Sequence, residues 1–365
     1  MNGKQVTVLI MAAGTGGHVF PALAIARQLK NNSVNVEWLG TPQGMENNLV
    51  ATTDIILHRV SAKGLRGTGV LRWLSAPIML SIAFFQSLKV IKKVKPNCVL
   101  GMGGFVCGPA GIAAKLLGKP LLIHEQNAVP GLTNKWLSGF SRKVFEAFPN
   151  TFGNKVGAIY TGNPLRNEIL SVSNFDVSLS KESNFNLLIV GGSQGSAAIN
   201  KEIPKLAVNW SSTVNLSIRH QTGSANLQET LLHYEKLGLQ VGKNIVVEPF
   251  INEMAEAYNW ADIIICRSGA STVSELAAVG LPSILVPYPH HKDQQQLLNA
   301  KWLAESGGAS VIEEKDFSAK TVLEILMSLS EDKVQLAELS GKVRKLSIPN
   351  ADEIIARHCL EVANG

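Results

Sequence analysis

The 365-residue sequence holds only four cysteines, Cys98, Cys107, Cys266 and Cys359, with no Cys-x-x-Cys pair and no metal-ligand spacing. That excludes zinc-ribbon and thioredoxin-like chemistry and suits reduced, mostly buried thiols in a cytoplasmic protein. Export and membrane-spanning signals are lacking too. The apolar run from Val6 to Ala13 is short, has little charge before it and runs into glycines, as a buried first strand does. The uncharged stretch between Arg72 and Lys89 has 16 residues and is interrupted by Pro77 and several polar side chains. A span needs about 20 apolar residues, so no transmembrane helix is expected. No Asp-x-Asp pair occurs anywhere. Chains that grip a nucleotide diphosphate through a divalent metal commonly need such carboxylates, so neither metal nor cofactor is expected here.

What the chain does have is apolar bulk and a modest excess of positive charge. Hydrophobic residues make up 45% and charged residues 17%, which excludes disorder. The formal charge of +6 suits an anionic partner (nucleic acid, phospholipid or a phosphorylated substrate) or simply solubility. A single core rarely grows beyond roughly 250–300 residues, so two domains are the natural reading.

Short β-branched runs alternate with longer helical patterns, the signature of βαβ units and parallel sheets. Strands are expected at 6–11, 34–39, 97–100, 120–124, 157–161, 186–190, 214–219, 244–248, 262–266 and 283–287. The strand–glycine loop–helix opening occurs twice, in VTVLIMAAGTGGHVFPALAIARQL and in NLLIVGGSQGSAAIN. Two Rossmann-like α/β domains in tandem follow, 1–164 and 165–345, with an amphipathic helix at the end. Ligands of open parallel sheets bind outside the carboxyl ends of the strands. Two such sheets facing one another would make one cleft.

The loops at those strand ends carry the chemistry. In GTGGH, Thr15, Gly16 and Gly17 let backbone amides approach an anion at a helix start, and His18 is placed to take a proton from a hydroxyl. The glycine spacing is not that of the dinucleotide fingerprint. HEQN offers Glu125 and His124 as further candidate bases, or a structural loop network. In GGSQG, backbone amides and Ser193 suit a diphosphate. RSGASTVSELAAVGLP places a helix start, running from Ala270 through Ser271, Thr272, Val273 and Ser274, where a leaving diphosphate gains charge. Glu275 suits a ribose diol, although Thr272 and Glu275 equally fit a capping box. The amides of HHKDQQQ suit sugar hydroxyls, or simply start a helix. Residues 61–95 set Trp73, Ile78, Met79, Leu80, Phe84 and Phe85 beside Lys63, Arg66, Arg72, Lys89, Lys92, Lys93 and Lys95. Apolar bulk edged by base suits an anionic membrane surface; a buried helix with a solvated end accounts for much of it as well.

Taken in order, GTGGHVFPALA, GMGGFVCGPAG, HEQNAVPGLTNK, TGNPLR, GGSQGSAAIN, RSGASTVSELAAVGLP and HHKDQQQLLNA make the chain resemble the MurG family. These are bacterial transferases of glycosyltransferase family 28 that convert lipid I to lipid II in peptidoglycan synthesis. The resemblance implies a GT-B fold and inverting transfer of GlcNAc from UDP-GlcNAc to a muramic acid C4 hydroxyl of lipid I. It implies a peripheral enzyme on the cytoplasmic face of the inner membrane, with cell-wall synthesis proteins as partners and no nucleic acid. By the same resemblance Asn127 binds GlcNAc, and Arg166 and Ser193 lie near the donor phosphates. Ile251 meets uracil through its backbone, Ala270 to Thr272 line the phosphates, Glu275 holds the ribose, and Gln295 and Gln296 meet the sugar. PYPHHKDQQQ is one residue longer than the family form, which leaves those two glutamines as alternatives. The resemblance also carries 346–365 back onto the first domain. Rival readings are another GT-B nucleotide-sugar enzyme or epimerase, an NAD-dependent dehydrogenase, and a basic membrane scaffold.

Overall fold

The computed structural model describes residues 5–62, 70–172, 184–291 and 293–365, with only the backbone described for 70–75. Lys63, Arg66, Lys292 and the polar stretch 173–183 lie outside the described residues, as do the side chains of Arg72 and Trp73. The chain divides into two compact units, Met1–Arg166 with Ile348–Gly365, and Asn167–Ser347.

The first unit is built on β1 (Thr7–Ala12), β2 (Asn35–Gly40), β3 (Ile56–Arg59), β4 (Cys98–Gly103), β5 (Leu121–Glu125), β6 (Lys143–Glu146) and β7 (Ile159–Tyr160). They pair in parallel in the order β3-β2-β1-β4-β5-β6-β7. The uninterrupted apolar character of β1 has a direct cause. Val8, Ile10 and Ala12 face one buried cluster and Leu9, Met11 and Ala13 the other, so both sheet faces are covered. The C-terminal helix Ala351–Asn364 belongs to this unit, where Ile355, Ala356 and Cys359 enter the first of those clusters. A fully buried side chain of the size of Ile355 contributes about 1.5–3 kcal/mol by leaving water.

The second unit repeats the scheme with β8 (Asn184–Val190), β9 (Asn215–Gln221), β10 (Ile245–Glu248), β11 (Ile263–Cys266), β12 (Ser283–Leu285) and β13 (Ala309–Val311). The order is β10-β9-β8-β11-β12-β13, again all parallel. Strand order reverses direction at the β1/β4 pair in one sheet and at β8/β11 in the other. Those switch points are where a doubly wound sheet opens to ligand. The four loops there are GTGGH, GMGGF, GGSQG and RSGAST.

Three strands, β3, β6 and β13, were not expected. They have four, four and three residues, and β3 and β13 are edge strands without a buried run. The helix Ala270–Val279 ends on Gly280 in the left-handed conformation (φ 71°). The capping-box reading fails: the helix is capped by Gly269, so Thr272 is its third residue and cannot cap it.

Candidate functional site

At the β1 end of the first unit, a fully buried carboxylate shapes the glycine loop. Glu46 accepts from Gly14 N (3.0 Å) and from both the backbone and hydroxyl of Thr41 (2.7 Å each). The helix that follows, Gly16–Asn31, starts at an exposed Thr15 with no side-chain cap and no acid in its first turn. Thr15, Gly16 and Gly17 therefore present backbone amides and the positive end of a helix dipole. His18 stands one residue on, and its Nδ1 lies 2.9 Å from Gln126 Oε1. Its ring lies against Gly103, where a Cβ would come within 2.5 Å of Nδ1 and where φ is +108°. Only glycine fits there, so GMGGF seats the histidine.

The β5 end corrects one assignment. Glu125 is buried and both its oxygens are occupied: Oε1 accepts from the backbone and side-chain amides of Asn127 (3.1 and 3.2 Å). Oε2 accepts from Gly131 N (3.0 Å) and Asn134 Nδ2 (2.9 Å). With two donors on each oxygen, Glu125 has no lone pair directed at a substrate hydroxyl. Glu125 is a loop clamp rather than a base, and it fixes Asn127 in place. His124 is also withdrawn: it is buried, its Nε2 is 3.0 Å from Gly162 O and its Nδ1 is 3.0 Å from Gln126 Nε2. Burial pushes its pKa down to about 4, with a smaller opposing effect from the Gly162 carbonyl. His18 is the candidate base that keeps a ring nitrogen unengaged among the described residues. Arg166, at the end of this unit, lies over the Phe20 ring at 5.2 Å.

In the second unit, Ser193 is exposed on the loop after β8, and Ser196 caps the helix Ala197–Val208. Arg267, at the end of β11, ties this loop to its neighbours. Its guanidinium donates to Ser196 Oγ (2.7 Å), to the Val286 and Pro287 carbonyls (3.1 Å each) and to Glu314, and it stacks over Tyr288. The next helix, Ala270–Val279, has no side-chain cap and no acid in its first turn. Beside that helix start the Ser271 hydroxyl is buried and has no hydrogen-bond partner among the described residues. An uncapped helix start beside an orphaned hydroxyl is arranged for an anion. Glu275 follows about a turn later, accepting from the Tyr258 hydroxyl at 2.9 Å. Val273 faces the interior, so its side chain lines no ligand. Ser274 and Ile251 are buried as well. The helix Gln295–Ala304 begins after Gln294, and Gln296 Oε1 accepts from Tyr288 N (2.9 Å) while its carbonyl accepts from Ser268 Oγ (2.8 Å). Gln296 thus anchors its loop, whereas the Gln295 amide makes no hydrogen bond among the described residues.

Comparison with known proteins matches residues 8–146 to the glycosyltransferase family 28 N-terminal domain and residues 186–354 to the glycosyltransferase family 28 C-terminal domain. The chain belongs to glycosyltransferase family 28. Among its relatives is the UDP-N-acetylglucosamine–N-acetylmuramyl-(pentapeptide) pyrophosphoryl-undecaprenol N-acetylglucosamine transferase of Marinobacter nauticus. It is 44% identical over 358 residues, which cover 98% of each chain. The crystal structure of Acinetobacter baumannii MurG is 40% identical, with a TM-score of 0.82 over 98% of this chain and 99% of that one. The calicheamicin glycosyltransferase CalG4 (TM-score 0.68, 15% identity) shares the fold alone.

Family 28 membership carries no statement about the helix Val70–Val94, whose geometry is its own. Ala76, Ala83, Ser87 and Ile91 are buried, while Ile78, Ile82, Phe85, Lys89 and Lys92 are exposed at spacings of three and four, which is one helix face. Phe84 is corrected: it packs against the unit's core beside Leu88. Leu80 is exposed, and Ile82, which the sequence reading passed over, replaces Phe84 on the outer face. Among the described residues, no helix is long and apolar enough to cross a membrane. Glu46 and Tyr258 carry no signal in the sequence, and Gln126 shows there only as an amide of HEQN. Glu46 and Tyr258 lie in no glycine loop, and only folding brings them to one.

Proposed function

We propose that this family 28 glycosyltransferase moves N-acetylglucosamine from UDP-N-acetylglucosamine to the C4 hydroxyl of the N-acetylmuramic acid of lipid I, forming a β-1,4 link and so lipid II. The observation that carries this reading is the uncapped start of the helix Ala270–Val279, with the orphaned Ser271 hydroxyl beside it and Glu275 a turn away. Amides of Ala270, Ser271 and Thr272 receive the diphosphate, and the Glu275 carboxylate accepts from the ribose diol. The Gln295 amide meets the sugar, Asn127 holds the acetamido side, and Ile251 meets the base through its backbone.

The chemistry balances without a covalent intermediate. The acceptor O–H gives its proton to His18 Nε2. The oxygen forms a bond to C1 of GlcNAc while the C1–O bond to the diphosphate breaks, and UDP leaves with that electron pair. The growing negative charge is met by helix-start amides. The acceptor is lipid-linked, and the Ile78–Ile82–Phe85 face continued by Lys89 and Lys92 suits apolar contact and anionic headgroups. The enzyme therefore rests on the cytoplasmic face of the membrane that holds its acceptor.

The test is transfer of labelled GlcNAc from UDP-GlcNAc to a lipid I analogue without added metal. Acceptor-dependent release of UDP is the expected result. UDP release that ignores the acceptor, or no heat of binding with UDP in calorimetry, overturns the reading.

A further inference from the structure

We propose that Gln126 and His124 are positioning residues that fix the tautomer of His18, leaving its Nε2 as the proton acceptor. The inference rests on the reading of His18 as the base and supplies what that reading lacks, a reason for the proton to go to one ring nitrogen.

The Gly162 carbonyl can only accept, so His124 Nε2, 3.0 Å away, carries a hydrogen. His124 is fully buried and stays neutral, its pKa lowered to about 4 chiefly by loss of solvation. A neutral ring with hydrogen on Nε2 has a lone pair on Nδ1. Facing that lone pair at 3.0 Å is the Gln126 side chain, which must present its NH2 group. A second acceptor demands the same orientation: the His124 carbonyl lies 3.3 Å from the same Gln126 nitrogen. With the amide turned this way, Gln126 Oε1 faces His18 Nδ1 at 2.9 Å, and an amide oxygen can only accept. His18 Nδ1 therefore holds the hydrogen, and its Nε2 holds the lone pair. A free histidine in water prefers the opposite form, so the loop reverses an intrinsic preference.

The frame around this chain of bonds is rigid. Asn163 donates to the Gln126 carbonyl (3.0 Å) and Asn134 to the His124 carbonyl (3.1 Å). Gly103 backs the His18 ring. The titratable groups nearby are His124, which His18 repels electrostatically, Glu125, which is held by Asn127, Gly131 and Asn134, and Glu46 beneath the preceding loop. Repulsion between the rings keeps the second proton off His124. The proton taken from substrate thus stays on His18, and the chain orients the base rather than carrying charge away.

Two measurements test this. In the unmodified chain labelled with 15N-histidine, long-range proton–nitrogen correlation above the histidine titration range should show His18 with hydrogen on Nδ1. Hydrogen on Nε2 overturns the inference while leaving the activity reading untouched. In Gln126→Glu, a carboxylate beside Nδ1 favours the imidazolium, so the acidic limb of kcat/KM should move up by about one pH unit. Gln126→Leu should lower kcat roughly tenfold or more, within the 10²–10⁴ a general base supplies, with KM for the donor nearly unchanged. An acidic limb that does not move in Gln126→Glu overturns the proposal, since a residue that only holds the loop would not shift it. A His18→Ala chain with full turnover overturns the base assignment instead.

Discussion

The switch-point loops of the two units solve opposite problems. In the first unit the carboxylate, imidazole and amide behind His18 are engaged: Glu125 is held by four donors, His124 by two partners and Gln126 by three. In the second, the buried Ser271 hydroxyl at an uncapped helix start has no hydrogen-bond partner among the described residues. Satisfied networks rigidify, whereas orphaned donors cost free energy until a ligand engages them. On the proposed reading, the difference divides the work: the first unit orients one reacting atom, and the second offers affinity for an anion.

The comparison breaks most sharply on His18. If the first unit exists to aim one ring nitrogen, His18→Ala should lower kcat by about 10²–10⁴ while leaving the donor Kd and the melting temperature close to unchanged. The ring is only half-buried, so little core packing is lost. Turnover and calorimetry on the same preparation decide it. A variant that loses donor affinity in proportion to kcat would put His18 in the binding task and erase the contrast.

Acid sharpens the comparison by stability. Each unit buries one neutral histidine: His124 in the first, and in the second His220, whose pKa burial lowers to about 3. Both lie below the ordinary value of 6.5, so the unfolded chain binds the proton first. The stabilisation is complete above pH 6.5 and is lost as pH falls, until about pH 4 for His124 and about pH 3 for His220. Each contributes a loss of about 1.4 kcal/mol per pH unit within its window. Urea denaturation at stepped pH should show it, and His220→Gln, which removes a ring bonded to Tyr234 and Asn200, should flatten the second unit's share. Stability that stays level from pH 6.5 to 5 would mean that these rings are hydrated.

Much of this was legible in the sequence, for identifiable reasons. The sheets announce themselves because the run Val8–Ala12 of β1 is buried on both faces and the run Leu187–Ile189 of β8 is buried without a break, so both must be apolar. The glycine loops mark their ends because a close approach such as His18 on Gly103 admits no side chain. Illegible were the features made by distant pairings. Glu46 lies 32 positions from the Gly14 amide it holds, and Gln126 lies 108 from His18. Spacing also misled: Thr272 and Glu275 read as a capping box because the pattern sits two residues inside the helix instead of at its cap. Glu125 read as a base because composition cannot tell a carboxylate that faces substrate from one already saturated by four amides.

The mildest test bears on the open side of the comparison. Glu275→Gln keeps the shape of the side chain and leaves an oxygen for the Tyr258 hydroxyl, so the helix should not shift. What it removes is the charge from an acceptor that would bind a ribose diol. Hydrogen bonds to a charged group contribute about 1.5–3 kcal/mol against about 1 for a neutral one, so the donor Kd should rise roughly tenfold. kcat at saturating donor should change little, because a ribose contact made equally in ground and transition states is uniform binding. The same variant should bind inorganic pyrophosphate as well as the unmodified chain does, since the helix-start amides are untouched. Loss of pyrophosphate affinity in Glu275→Gln would mean that the carboxylate props up the helix start, and the second unit's anion site would then be no more open than the network around His18.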